Sequence, residues 1–174
     1  APAALRAMGG LRGSAADAAL LPLLKTSDGD VRIGVLNALA ARGNAAVLPQ
    51  AQAWSAGADD ALAAAAIRAL GCLASDDAIA ALAALKPATA ARRQARTEAL
   101  TACANRIKAR SAAKLCRRLL AGGEPQELKA AALERLVALD PADALPDVLA
   151  ALTGKDLYLA WLAAGFTSQI QGAR

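Results

Sequence analysis

Apolar residues recur at helical spacing along most of the chain, in stretches separated by short polar turns. The clearest stretch opens with Asp-Gly-Asp-Val-Arg at 28–32, continues with Leu36 and Leu39, and stops at Gly43. Related stretches begin at Asp59, Glu127 and Asp156, and another holds Arg96, Leu100 and Cys103 in the same register. Such spacing places the apolar side chains on one face of a helix. The pattern therefore predicts a series of similar amphipathic helices.

The distance between equivalent positions indicates an internal repeat. Aligning Leu39, Leu70, Cys103 and Leu136 gives steps of 31, 33 and 33 residues. Each of these helices is preceded by another predicted helix, whose first-turn amides need an acceptor. The expected capping residues are Ser14 for 15–24, Asn44 for 45–54, Ser75 for 76–85, Ser111 or a neighbour for the fourth helix, and Asp140 with Pro141 for the fifth. The chain is thus predicted to consist of helix pairs.

Three of these first helices contain the dipeptide Leu-Pro, at Pro22, Pro49 and Pro146. A proline inside a helix removes one backbone hydrogen bond and bends the helix. Because the dipeptide recurs at matching places, we expect the bend to be part of the repeated unit.

The composition favours the same kind of fold. Alanine is the most frequent residue and the strongest helix former, and it permits close helix packing. Aromatic residues make up only 2% of the chain, and strand-favouring residues are scarce. A core of Ala and Leu with few rings does not fill the space between two packed sheets. The composition therefore predicts an all-α protein.

A period slightly above 30 residues, with two helices and a bent first helix, resembles the HEAT repeat in its short bacterial form, as in phycobilin lyases. The motif at 28–32, Leu-x-Ala-Leu at 36–39 and Arg-Ala-Leu-Gly at 68–71 carry the resemblance. It implies a right-handed α-solenoid of about five HEAT-like helix pairs, with the second helices on the inner face. We expect one repeat domain, 1–174, from a longer chain. Its expected units are 1–13 (partial), 14–43, 44–74, 75–110, 111–140 and 141–174.

The residue types exclude several kinds of site. The chain has no histidine, so it has no His-based triad and no His metal ligand. Cys72, Cys103 and Cys116 lack the CxxC spacing of zinc sites, and the first two fall at apolar helical positions. We therefore expect core cysteines, no cofactor, no metal and no enzymatic activity.

The apolar stretches are too short to cross a bilayer, and the richest of them, 61–67, stops at Arg68. No charged-then-apolar signal pattern is present. We expect a soluble protein with no membrane insertion. A cytoplasmic location is favoured, while a secreted or periplasmic one stays open.

Basic residues are concentrated in one stretch. Residues 86–118 hold ten lysines and arginines against a single acid, Glu98. That stretch has a net charge of +9 and the remainder −4, which together give the +5 of the chain. The resemblance to HEAT units implies that Arg32 and Lys129 pair with acids of their own turns. Arg96 differs, since basic residues and Gln94 replace the acids of its turn.

A basic surface of this kind binds acidic proteins or phosphates. We expect a non-enzymatic interaction module or scaffold, with a basic patch in the third and fourth repeats for an acidic protein or neighbouring domain. The expected contact residues are Arg92, Arg93, Arg96, Arg106, Arg110, Lys114, Arg117 and Arg118. Reversing the first three to glutamate is expected to abolish binding and leave the fold intact.

Other interpretations of the patch stay open. The first is a nucleic-acid-binding HEAT-like module that contacts phosphates through the same residues; the second is a solvated, solubilising face. A third, a catalytic repeat protein similar to phycobilin lyases, has the least support because no nucleophile–base pair is visible.

Three of the four aromatic residues, Tyr158, Trp161 and Phe166, lie close together in the last predicted helix. We expect them to cover the open end of the stack. The alternative is a docking surface for a neighbouring domain or a second copy. The fourth ring, Trp54, is expected to pack beside the turn that follows it.

Overall fold

A computed structural model describes the backbone of residues 14–171 and the side chains of residues 15–167. These residues form an all-α fold without strands, as the sequence predicts. The helices are α1 (Ser14–Thr26), α2 (Gly29–Ala41), a 3₁₀ turn (Ala45–Val47), α3 (Leu48–Ser55), α4 (Asp60–Leu73), α5 (Asp76–Ala84), α6 (Ala90–Arg106), α7 (Ala109–Ala121), α8 (Gln126–Leu139), α9 (Leu145–Leu152) and α10 (Leu157–Gln171). The predicted partial unit 1–13 and the capping side chain of Ser14 lie outside the described residues.

Two of the predicted caps are confirmed. The Asn44 side chain accepts a hydrogen bond from the backbone N–H of Ala46 at 3.0 Å. The Ser75 hydroxyl accepts one from the N–H of Ala78 at 3.2 Å. In each case a side-chain oxygen pairs with an amide that the first turn of a helix leaves without a partner.

The cap predicted at Ser111 is wrong. The N-cap of α7 is Lys108, whose carbonyl already accepts the first helical hydrogen bond, from the N–H of Ala112 at 2.9 Å. Asp140 does accept from the N–H groups of Ala142 and Asp143, but these bonds close a turn ahead of α9, which begins at Leu145.

The three prolines do not have equal roles. Pro22 lies inside α1, as predicted. Pro49 and Pro146 stand in the first turn of α3 and α9, so the prediction that they lie inside a helix is wrong. At these positions the missing N–H has no helical partner to lose, and the fixed φ suits the start of a helix.

The chain divides into two compact units, one ending at Cys103 and the other beginning at Ala104. In the first unit, α2 packs on α1 and on α4, and α4 also packs on α3 and α5. In the second unit, α8 packs on α7 and α10, and α10 also packs on α9. Within each unit, then, a helix that closes one pair contacts the helix that closes the next.

The predicted core register is confirmed. Leu39, Leu70 and Cys103 are fully buried, and Leu136 is 2% exposed. Cys116 is also buried, whereas Cys72 is half-buried and therefore not the core residue that its spacing predicts. None of the three cysteines forms a disulfide.

Polar contacts join side chains that lie far apart in the sequence. Arg42 pairs with Asp17, and Arg68 Nε donates to Glu98 at 2.9 Å. The bond from Arg68 holds the pKa of Glu98 below its ordinary value. In the second unit Gln126 donates to Asp156 at 2.8 Å. The last two contacts span 30 residues and connect consecutive helix pairs, whereas Arg42 and Asp17 join the end of α2 to α1 within one pair.

Candidate functional site

The eight predicted contact residues belong to different parts of the described structure. Arg92, Arg93 and Arg96 lie in the first half of α6, in the unit that ends at Cys103. The other five belong to the unit that begins at Ala104: Arg106 ends α6, and the remaining four lie on α7.

The Arg92 side chain bonds to residues of its own compact unit. Its guanidinium pairs with the Asp60 carboxylate at 2.6 Å and donates to the Ala58 carbonyl at 3.3 Å. The Arg92 side chain is only 11% exposed. Asp60 opens α4, so the counter-charge that the Arg92 turn lacks comes from the preceding helix pair.

Arg96 is also turned inward, and it is 7% exposed. Its Nε donates to the Leu82 carbonyl at 2.8 Å, and a second nitrogen donates to the Ala83 carbonyl at 3.4 Å. Both carbonyls belong to the last turn of α5, where a helix has unpaired acceptors and the negative end of its dipole. Backbone carbonyls therefore take the place of the acids that the turn of Arg96 lacks.

Of these three arginines only Arg93 is exposed, and it donates to the Ala88 carbonyl at 3.3 Å. Reversing Arg92 and Arg96 would oppose Asp60 with a second acid and bury a carboxylate beside carbonyl oxygens. The expectation that the triple reversal leaves the fold intact is not compatible with these contacts.

Helix α7 presents the most regular basic surface of the described residues. Its buried side is formed by Ala112, Leu115, Cys116 and Leu119. Its exposed side carries Arg110, Lys114 and Arg118, which follow one another at intervals of four residues. We call these three residues the α7 basic row. With a rise of about 1.5 Å per residue, neighbouring charges of the row stand roughly 6 Å apart along the helix.

Helix α7 itself contains neither Asp nor Glu. Lys108, the N-cap of α7, is exposed as well and extends the positive charge by one position. Lys108 is absent from the predicted contact set, although its place immediately before a basic amphipathic helix was visible in the sequence. Arg106 is exposed at the end of α6.

Arg117 differs from the row although it lies on the same helix. Its guanidinium donates to Asp147 at 3.0 Å and to the side chain of Asp143 at 2.9 Å. The hydrogen bonds that Arg117 donates to Asp147 and Asp143 raise its pKa above the ordinary value. Two acids thus balance its charge, and its role is to tie α7 to the turn before α9 and to α9 itself.

A groove of about 320 Å³ lies beside this ion pair in the second unit. Its charged lining consists of Arg117, Lys155, Asp147 and Asp156, two bases against two acids. The N–H of Leu159 and the Gln126 side chain hold the pKa of Asp156 below its ordinary value. Most of these charged groups already bond to neighbouring residues. A ligand in the groove would therefore be bound mainly by its apolar walls.

The aromatic residues lie away from the α7 basic row in sequence and on other helices. Trp54 is half-buried, with the Arg32 guanidinium 5.7 Å from its ring centroid. Tyr158 and Trp161 lie on α10, and their ring centroids are 6.3 Å apart. The row therefore offers charge without a ring of its own for base stacking.

Among the residues that the structure describes, no three His, Cys, Asp or Glu side chains are grouped so that they could hold a metal ion. In the same part of the chain, no helix combines the length and apolar character that a membrane span requires. The chain matches no protein-family model, and no curated protein matches it.

Proposed function

We propose that this chain is a non-enzymatic helical-repeat module of the HEAT type, which binds an acidic protein partner through the α7 basic row. Two features support the repeat architecture. Second helices of successive pairs pack on each other within each unit, as α2 does on α4 and α8 on α10. Polar side chains of successive pairs also bond across intervals of 30 residues, close to the spacing of 31 to 33 residues in the core.

A right-handed solenoid of about five pairs is the architecture that combines such contacts, because each unit then buries its apolar face on its neighbours. In this architecture the exposed side chains of a helix lie outside the core. They can therefore differ between units and bind a partner without disturbing the fold.

The observation that carries the binding proposal is the acid-free α7 basic row. Arg110, Lys114 and Arg118 are exposed on a helix that has no acid to balance them. By contrast, Arg92 and Arg117 are balanced by acids of neighbouring elements. Charges left unbalanced at regular spacing fit a partner helix with carboxylates at the same interval of four residues.

The length of the α7 basic row favours a protein partner over nucleic acid. Three aligned charges about 12 Å from first to last match one face of a short acidic helix. Sequence-independent binding to nucleic acid uses more phosphate contacts and, on single strands, stacking rings.

The test is binding of a fluorescent helical peptide with glutamates at every fourth residue, measured by anisotropy. Reversal of the row (Arg110→Glu, Lys114→Glu, Arg118→Glu) is expected to weaken binding at least about 30-fold, because attraction becomes repulsion. The matched control reverses three exposed lysines elsewhere, Lys25, Lys86 and Lys155, and changes the net charge equally. We expect it to change the affinity less than about threefold.

Equal weakening by both triple variants would show that only net charge matters and would overturn the assignment of the row. A random-sequence duplex and a single strand serve as the competing probes. With three phosphate contacts, the logarithm of the affinity for duplex should fall with a slope of about −2.7 against the logarithm of salt concentration. If the chain binds duplex more tightly than the peptide, and reversal of the row abolishes this binding, the row binds nucleic acid rather than a protein.

A further inference from the structure

Four helices of the first unit, α1 to α4, match α7 to α10 of the second in order, and each matches in length to within one residue. Equivalent positions can therefore be found by counting along the helices. The ninth residue of α1 is Pro22, and that of α7 is Arg117. Helices α3 and α9 both begin with Leu-Pro, and their third residues are Gln50 and Asp147.

Each unit has a groove at these equivalent positions, but only the second groove is bridged. Its lining includes Arg117 and Asp147, whose ion pair joins α7 to α9. In the first unit a groove of about 570 Å³ is lined by Pro22 and Gln50, neither of which is charged, so no ion pair can form between them. We call this the α1–α3 groove. It is open at the position where α7 and α9 are tied together.

The α1–α3 groove contains two acceptors whose hydrogen bonding is incomplete. The Oε1 atom of Gln50 is buried, and none of the described residues donates a hydrogen bond to it. Pro22 has no N–H, so the helical bond to the Ala18 carbonyl four residues earlier cannot form, and Ala18 also lines the groove. Because a buried acceptor without a donor is costly, a ligand that offers an N–H group to these oxygens binds favourably.

The charge of the α1–α3 groove is positive. Lys25 is exposed, and it is the single charged residue among the described residues that line the groove. The acid of α1, Asp17, already pairs with Arg42. Lys25 therefore attracts a carboxylate and repels a cationic ligand. The groove of the second unit differs in this respect, since its lining balances two bases with two acids.

The walls of the α1–α3 groove are apolar, with Leu21, Pro22 and Leu24 among the lining residues. Its volume falls in the range of small-molecule sites, which combine apolar walls with a few polar groups that fix the orientation of the ligand. Here those groups are one cation and two oxygen acceptors. They define a ligand with one anion, one donor and an apolar body.

We propose that the α1–α3 groove binds a small apolar carboxylic acid that carries an N–H group, the chemistry of an N-acylated apolar amino acid. The carboxylate pairs with Lys25, the N–H group donates to Gln50 Oε1, and the apolar side chain lies on Leu21 and Pro22. This proposal does not rest on the α7 basic row, which belongs to the other unit, and stands or falls separately from it.

The experiment is a titration of the isotope-labelled full chain with N-acetyl-leucine, followed by heteronuclear NMR. Saturable shifts are expected for the backbone amide of Lys25 and the side-chain amide of Gln50. The expected dissociation constant is about 1 mM, which is ordinary for a ligand of about twelve non-hydrogen atoms. N-acetyl-leucine amide, which lacks the charge, should bind at least about threefold more weakly.

Two variants with matched controls assign the contacts. Lys25→Gln should weaken binding of N-acetyl-leucine about threefold, whereas Lys86→Gln removes the same charge from an exposed site outside the groove and should have no effect. Gln50→Leu should weaken it about fivefold through the lost acceptor. Gln52→Leu changes an exposed glutamine of the same helix and should leave the affinity unchanged.

A ligand without the donor separates a lost hydrogen bond from a general distortion of the groove. The O-acetyl analogue of N-acetyl-leucine has an ester oxygen in place of the N–H group, so Gln50→Leu should not weaken its binding. Absence of saturable shifts up to about 10 mM N-acetyl-leucine would overturn the proposal. Equal weakening by a groove variant and its matched control, or equal weakening of both ligands by Gln50→Leu, would overturn it as well.

Discussion

Gly71 of α4 lies directly against Ala99 of α6. A Cβ atom at position 71 would stand 2.6 Å from the Ala99 Cα atom and 2.7 Å from its Cβ atom. One turn further along α6, the Cys103 thiol approaches the Gly71 carbonyl oxygen at 3.7 Å. The two helices therefore meet backbone to backbone, and the absence of a side chain at position 71 sets how closely they approach.

Replacing Gly71 by alanine should destabilise the protein by about 1–3 kcal/mol, because the new methyl group cannot fit without moving a helix. Urea unfolding followed by circular dichroism measures the effect. Gly165 in α10 is the matched control, since nothing lies within 4 Å of a Cβ there. Gly165→Ala should be neutral or stabilise by up to about 1 kcal/mol through helix propensity. A destabilisation of the same size at both glycines would contradict the close contact.

Arg96 should contribute to stability, unlike its neighbour Arg93. Arg96→Ala leaves the Leu82 and Ala83 carbonyls without this donor in a buried place, at a cost of about 2–3 kcal/mol. Arg93 is exposed, so Arg93→Ala should change the free energy of unfolding by less than about 0.5 kcal/mol. Thermal unfolding of the two variants under one set of conditions compares them. Equal stabilities would show that the Arg96 bonds add nothing.

Much of the fold was readable because helix periodicity and repeat spacing are local signals. Leu39, Leu70 and Leu136 align by sequence spacing alone, and all three are buried. Small polar caps such as Asn44 are readable for the same reason, since the cap and its amide lie within three residues.

The partners of the arginines could not be predicted from the sequence, because packing between helix pairs determines them. Arg92 meets Asp60, and Arg117 meets Asp147 30 residues away, so a search of the same turn finds neither acid. Sequence spacing did identify the α7 basic row as part of a larger set. It did not separate the row from arginines that the fold uses internally, which needed the direction of each side chain.

The buried positions at which the repeats align, such as Leu70, provide a direct test of the predicted core register. Leu70 is fully buried, so Leu70→Asp should lower the free energy of unfolding by at least about 3–5 kcal/mol, through lost apolar contacts and an unpaired buried charge. Ala61→Asp, on the exposed first turn of the same helix, should have little effect or stabilise slightly. Both are measured by thermal unfolding. A Leu70→Asp variant that melts with the unmodified chain would contradict the core register.

Cys116 should make the stability depend on alkaline pH. Burial raises its pKa from 9.0 to about 11, against the opposing charge of Arg135. The unfolded chain releases this proton near its ordinary pKa, so the contribution is complete below about pH 9 and declines as the pH rises towards 11. Urea unfolding in reducing buffer between about pH 8 and pH 10.5 should show a decline of up to roughly 1.4 kcal/mol per pH unit from this thiol. Cys116→Ala should have a shallower decline than the unmodified chain. Equal pH slopes in the two proteins would show that the Cys116 thiol is not the group responsible.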